Sequence, residues 1–234
     1  MTKKVRIASI FQSFNGEVTA LHQGSLCTFI RLAGCNLRCK YCDTKYSQEC
    51  NADTMHLTRM DLARKVFELP QRTARVTITG GEPLLQMDAL EPVVDIFNIL
   101  KIPVSVETNG TYIIPTKWLV HSWVVDCKLP GSGINPDLAL RHYSDWVANL
   151  RDCDVIKFVV TNREDFEMAH ELAKDLDRDR CRAAVAFSAA SASIPDHVQL
   201  LNWMKEANLT HAILNVQLHK ILFPNSGGGR ENEV

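Results

Sequence analysis

The residues with the clearest chemical potential are Cys35, Cys39 and Cys42, spaced C-x3-C-x2-C in one short stretch. Three thiolates on one tight loop can grip three irons of a cubane cluster and leave the fourth iron open to a small molecule. A structural zinc ion would need a fourth Cys or His to close its tetrahedron, and Cys50 or His56 lies near enough in sequence to be considered. The chain carries eight cysteines, but a tight cluster argues for metal or redox chemistry over a disulfide framework. Cys27, Cys153 and Cys181 sit in or beside apolar runs and read as small buried hydrophobes. Cys50 and Cys127 stay open.

A second chemical signal is Thr79-Gly80-Gly81-Glu82-Pro83, where two glycines let backbone approach a ligand and a carboxylate suits an ammonium. Taken alone, this is also an ordinary turn into a helix. Its meaning depends on the elements around it. Strand patterns at 28–33, 76–79, 104–107, 123–126, 155–160, 183–187 and 213–217 alternate with helical spacing at 57–69, 83–100, 138–150, 164–176 and 195–207. Such alternation predicts an α/β fold with a single curved, mostly parallel sheet, a partial (βα) barrel. In that architecture reactive groups gather at the carboxyl ends of the strands. The cysteine loop, the Gly80-Gly81 turn, Glu107-Thr108-Asn109-Gly110, Asp126-Cys127-Lys128, Ser188-Ala189-Ala190 and Gln217-Leu218-His219-Lys220 should therefore face one cavity.

With 234 residues, the chain reads as one domain over 1–224, followed by a flexible Gly-rich tail at 225–234. Lys and Arg number 26 against 27 Asp and Glu, so no basic field points to nucleic acid or an anionic membrane. A small-molecule partner is expected. No stretch is long and apolar enough to span a bilayer, and Met1-Thr2-Lys3-Lys4 leads into Val5-Arg6-Ile7 without a secretory apolar segment. The cytoplasm is the expected compartment.

Cys35-Asn36-Leu37-Arg38-Cys39-Lys40-Tyr41-Cys42 resembles the signature of the radical S-adenosylmethionine superfamily, including its aromatic residue before the last cysteine. The Gly80-Gly81-Glu82 turn looks like the segment by which that family holds the methionine amino group. The resemblance implies a 4Fe-4S cluster whose open iron binds S-adenosylmethionine, and reductive cleavage of that cofactor to an adenosyl radical that abstracts hydrogen. It also implies S-adenosylmethionine contacts at Tyr41, Cys42, Asp43, Gly81, Glu82, Asp126, Cys127, Lys128 and Ser188.

Within the superfamily, several segments resemble the 7-carboxy-7-deazaguanine synthase family. These are Phe11 to Glu17, Arg31 to Cys39 with Tyr41-Cys42-Asp43-Thr44, Val106 to Gly110, Val125 to Gly133, and Val216 to Lys220. Asn15 stands where that family has Gln, and Asp126-Cys127 where many members have Ser-Pro before the Lys. The resemblance implies that Arg31 holds a substrate carboxylate and that Thr44 ligates magnesium; guanidinium and hard oxygen donors suit those roles. It implies further substrate contacts at Phe14, Asn15, Gly16, Glu17, Thr79, Glu107, Gln217, His219 and Pro224. The implied substrate is 6-carboxy-5,6,7,8-tetrahydropterin. A low-potential donor such as flavodoxin or ferredoxin and a homodimer follow from the same likeness. A glycyl-radical activating enzyme shares the cysteine spacing, but Arg31, Thr44 and Gln217-Leu218-His219 suit a small anionic substrate better than a partner protein.

Overall fold

The structure, a computed structural model, describes residues 3–71, 73–176, 181–191 and 193–223. Pro224 and the tail at 225–234 lie outside the described residues.

β-Branched and aromatic residues concentrate in β2 (Leu26–Leu32), which is buried along most of its length and pairs antiparallel with β1 (Val5–Phe14). The short β3 (Met55–Leu57) joins the far side of β1, also antiparallel. The remaining strands run parallel outward from β2: β4 (Val76–Gly80), β5 (Val104–Thr108), β6 (Ser122–Cys127), β7 (Val155–Val160), β8 (Ala184–Ala189) and β9 (Ile213–Asn215). The sheet order is β3-β1-β2-β4-β5-β6-β7-β8-β9. Helices α1 (Arg59–Phe67), α2 (Met87–Ile99), α3 (Pro136–Ala139), α4 (Tyr143–Asn149), α5 (Arg163–Asp175) and α6 (Ile194–Glu206) fill the crossovers, and a final turn α7 (Leu218–Leu222) follows β9.

The two-residue period of a strand sorts the sheet's faces. Ile30, Ile78, Val106, Val125, Ile156 and Phe158 point outward and pack with helix residues such as Phe97, Trp146 and Phe166 in the main core. Each such side chain contributes roughly 1.5–3 kcal/mol by full burial. The alternate positions, Arg31, Thr79, Glu107, Asp126 and Lys157, are thereby turned to the inner face, where they line a cavity.

Sequence spacing places β2 and β4 to β8, with the crossover helices, close to where they occur. The helix predicted over 138–150 is two helices, because the chain turns at Leu140–His142. The strand predicted to Gln217 stops at Asn215, and Leu218–Leu222 coils instead. The antiparallel strands β1 and β3 had no counterpart in the periodicity: β3 is three residues long, and much of β1 is only half-buried.

Candidate active site

The cysteine loop leaves β2 at Gly34 and is pinned by backbone at three places. Gly34 N–H and Cys35 N–H donate to Ser47 O and Gln48 O, and Lys40 N–H donates to Ser132 O at 2.9 Å. The Gly80-Gly81 turn docks on the same loop, with Gly81 N–H bonded to Leu32 O and Glu82 N–H to Gly34 O. A Cβ at Gly81 would lie 1.9 Å from Gly34 O, so only glycine permits this approach.

The loop roofs a cavity of about 210 Å³ at the carboxyl ends of the strands, lined by Cys35, Cys39 and Cys42 on one side. Arg31 and Thr79 are register neighbours on β2 and β4, and Thr79 Oγ1 donates to Glu107 Oε2 at 2.6 Å. The Arg31 guanidinium lies 5.4 Å from the centre of the Phe11 ring, itself stacked on Phe29. Lys128 sits over the Tyr41 ring and pairs with Asp126 at 3.0 Å. From the far edge come Gln217 and His219; Gln217 Nε2 donates to Glu17 at 2.7 Å, and His219 Nε2 lies 3.4 Å from Asp43 Oδ2. His219 also packs against Gly16, where a Cβ would come within 2.5 Å of its ring. Phe14, Thr44 and Gly81 complete the lining drawn from the expected residues.

The chain is 31% identical to the 7-carboxy-7-deazaguanine synthase of Clostridium acetobutylicum over 95% of this chain and 98% of that one. The chain belongs to the 7-carboxy-7-deazaguanine synthase family. The relative in Koribacter versatilis is 30% identical over 94% of this chain and 97% of its own length. That in Methanospirillum hungatei is 33% identical over 93% and 85%. Residues 29–118 match the Radical SAM superfamily. The fold agrees with the crystal structure of QueE from Escherichia coli, with a TM-score of 0.70, 23% identity, and coverage of 92% of this chain and 94% of that one.

The donor set suits the iron–sulfur cluster and S-adenosylmethionine expected of a radical enzyme in this family. Burial raises the Cys35 thiol and pushes Cys39 up to about 11, so these groups stay protonated until a metal displaces the proton. Leu37 N–H and Asn109 Nδ2 approach the Cys35 sulfur at 3.4 and 3.9 Å, as donors do around cluster sulfurs. Among the described residues no three His, Cys, Asp or Glu side chains converge as on a single ion, and Cys50 and His56 are exposed. Among the described lining residues, Tyr41 OH, Asp126 Oδ1 and Gln217 Oε1 are buried without a protein partner. These are sites for ligand hydrogen bonds.

Four expected contact residues do not line the cavity. Asn15 is buried, and its Oδ1 accepts from Thr77 Oγ1 and the Cys27 thiol, which ties the strap after β1 to β2 and β4. Glu82 is wholly buried and accepts from Leu84 N–H, Thr108 Oγ1 and Asn109 N–H, so its carboxylate is spent on joining its own turn to the exit of β5. Cys127 falls on the outer face, one residue out of phase with Asp126, and packs in the main core. Ser188 bonds Asn215 on β9. Conversely, Lys157 lines the cavity but was not singled out from the sequence. Its signal was a lone charge inside the apolar run Val-Ile-Lys-Phe-Val-Val.

Proposed function

We propose that this chain is a radical S-adenosylmethionine lyase that converts 6-carboxy-5,6,7,8-tetrahydropterin to 7-carboxy-7-deazaguanine with loss of ammonia, a step towards queuosine-type 7-deazapurines. The observation that carries the reading is one cavity holding both the three-cysteine loop and a half-buried guanidinium, Arg31, flanked by Thr79 and Glu107. When bound, the cluster supplies the electron that cleaves S-adenosylmethionine to the hydrogen-abstracting radical. Cys35, Cys39 and Cys42 would hold it, with Tyr41, Asp43, Gly81, Asp126 and Lys128 around the S-adenosylmethionine.

The chain's own residues bind and orient. Arg31 takes the pterin carboxylate, held in place by Phe11 and Phe29. Phe14, Gly16, Glu17, Thr79, Glu107, Gln217 and His219 surround the ring system and fix it for attack at one carbon. The Thr44 hydroxyl makes no cap to the turn that follows it, and lines the cavity beside Asp43, which suits a magnesium ligand. In this reading the enzyme works as a cytoplasmic homodimer supplied by flavodoxin or ferredoxin; no described helix is long and apolar enough to cross a membrane.

Anaerobic reconstitution with iron and sulfide, followed by the carboxytetrahydropterin, S-adenosylmethionine, magnesium and a low-potential reductant, tests the reading. A brown protein with about four irons per chain and deazaguanine product is expected. A colourless protein holding one zinc ion, or cluster-dependent cofactor cleavage with no deazaguanine, sinks it. Thr44→Ala should abolish magnesium stimulation, and unchanged stimulation removes Thr44 from the metal site.

A further inference from the structure

Every residue of β7 is buried, and Lys157 is its one charge. An ammonium at that depth persists only when paired. Its side chain is 7% exposed, and Nζ meets the Glu17 carboxylate and lies 3.2 Å from Asp126 Oδ2. The two carboxylates come from distant parts of the chain. Asp126 is the register neighbour of Lys157 on β6, whereas Glu17 reaches β7 from the strap that follows β1.

Each carboxylate also directs a second group. Glu17 Oε1 accepts from Gln217 Nε2, and because a carboxylate only accepts, the amide must present its NH2 there and turn Oε1 elsewhere. That Oε1 is buried without a partner. Asp126 Oδ2 is shared by Lys157 and Lys128, which leaves Oδ1 buried and unpartnered as well. Gln217 and Asp126 both line the cavity. Two orphaned acceptors are costly unless a ligand brings N–H or O–H groups to them.

The geometry points to Lys157 as a positioning residue that ties the pterin side of the cavity, through Glu17 and Gln217, to the S-adenosylmethionine side, through Asp126. The inference rests on the functional reading above, which puts the two ligands on those sides. Lys157 touches neither ligand in this scheme; it sets the spacing between them and aims both free acceptors. The charges agree with the geometry. Burial opposes the Lys157 ammonium, but Asp126, Glu17 and Glu107 hold its pKa well above the ordinary lysine value. Burial likewise opposes ionisation of Glu17 and Asp126, but Lys157 with His219 outweighs it at Glu17, and Lys128 with Lys157 at Asp126.

The test uses the reconstituted full chain with Lys157→Met and Lys157→Arg. Wild type comes first: if it forms no deazaguanine, the functional reading fails and takes this inference with it. Given wild-type turnover, K157M should keep its iron content but bind the pterin at least about fivefold more weakly without reductant, by calorimetry, as loss of a modest coupling implies. It should also release at least about fivefold more 5′-deoxyadenosine per deazaguanine formed. K157R should give intermediate values. Unchanged affinity and an unchanged ratio overturn the inference. So do product and cofactor cleavage falling together at constant ratio, which marks a merely structural role. Should K157M not fold, K157R decides by the same measurements, since its planar head cannot meet both carboxylates on the same atoms. Wild-type values in K157R would then overturn the inference.

Discussion

Glu107 sits in the cavity at the cost of stability. Burial and the nearby Glu17 raise its pKa above the ordinary value, against the pull of Lys157 and the hydrogen bond from Thr79. A carboxyl raised in the folded state costs nothing while protonated in both states, and destabilises the fold as pH rises through its folded pKa. Glu107→Gln should therefore stabilise the protein by about 1 kcal/mol at pH 7–8 while lowering turnover. The gain should shrink towards pH 5. Thermal melts at both pH values with parallel assays measure this; a destabilised variant at neutral pH contradicts it. The cysteines divide on similar grounds. Burial pushes Cys27 and Cys127 each up to about 12, so both stay thiols at pH 8, while Cys50 is exposed. Brief alkylation of the metal-free protein, read by mass spectrometry, should modify Cys50 and spare Cys27 and Cys127. Residue types in a motif made Arg31, Thr79 and the loop cysteines legible in the sequence. Asn15 was not legible in that way: an amide at that position can serve a ligand or the core, and only the neighbours Cys27 and Thr77 decide for the core.

Elements hold these residues through contacts that leave little trace in periodicity. The turn at Pro130–Ser132 receives the cysteine loop, because Ser132 O accepts from Lys40 N–H. That turn is anchored in its own right by Asp165, buried in the first turn of α5, which accepts from Gly131 N–H, Thr161 N–H and Thr161 Oγ1. The chain of support runs from α5 to the turn to Lys40, which lies between two expected cluster ligands. Asp165→Ala leaves at least two backbone N–H groups unpaired, at about 1–3 kcal/mol each where buried. Denaturant unfolding should show a loss of about 2–4 kcal/mol, and reconstituted protein should hold less iron. A variant that loses stability at full iron content would separate α5 from the cluster loop. The sequence announces α5 by its apolar spacing, but not that its first-turn acid reaches back to another loop. β7 was legible over its full length since five apolar residues flank Lys157 in one buried run, whereas β1 was not, being half-buried and antiparallel.

At the scale of the molecule, the sheet order runs from β3 to β9 without closing, and the gap between its ends is bridged by chain rather than by strand pairing. The strap after β1 crosses to the far edge: Val18 N–H donates to Asn215 Oδ1 at 2.9 Å, and Leu218 N–H donates to Gly16 O at 2.8 Å. Gln23 adds bonds to Gly16 O and Val216 O. This crossing carries Glu17 to Lys157 and seats Gly16 against His219, so closure of the barrel and assembly of the pterin side are one event. The strand-and-helix alternation foretold the parallel sheet and the shared cavity, but contacts between segments some 200 residues apart follow from curvature, which no local pattern encodes. Asn215 is the latch, buried and bonded to both Val18 and Ser188. Asn215→Ala removes those partners, and the strap has few buried apolar contacts to replace them, so it should open locally at lower free energy than the sheet. Hydrogen exchange should rise together at residues 15–25 and 216–223, with β4 to β7 unchanged, and pterin affinity should fall about tenfold or more as the binding-competent closed form becomes the minority. Exchange that rises in one segment alone would mean that the two edges close independently.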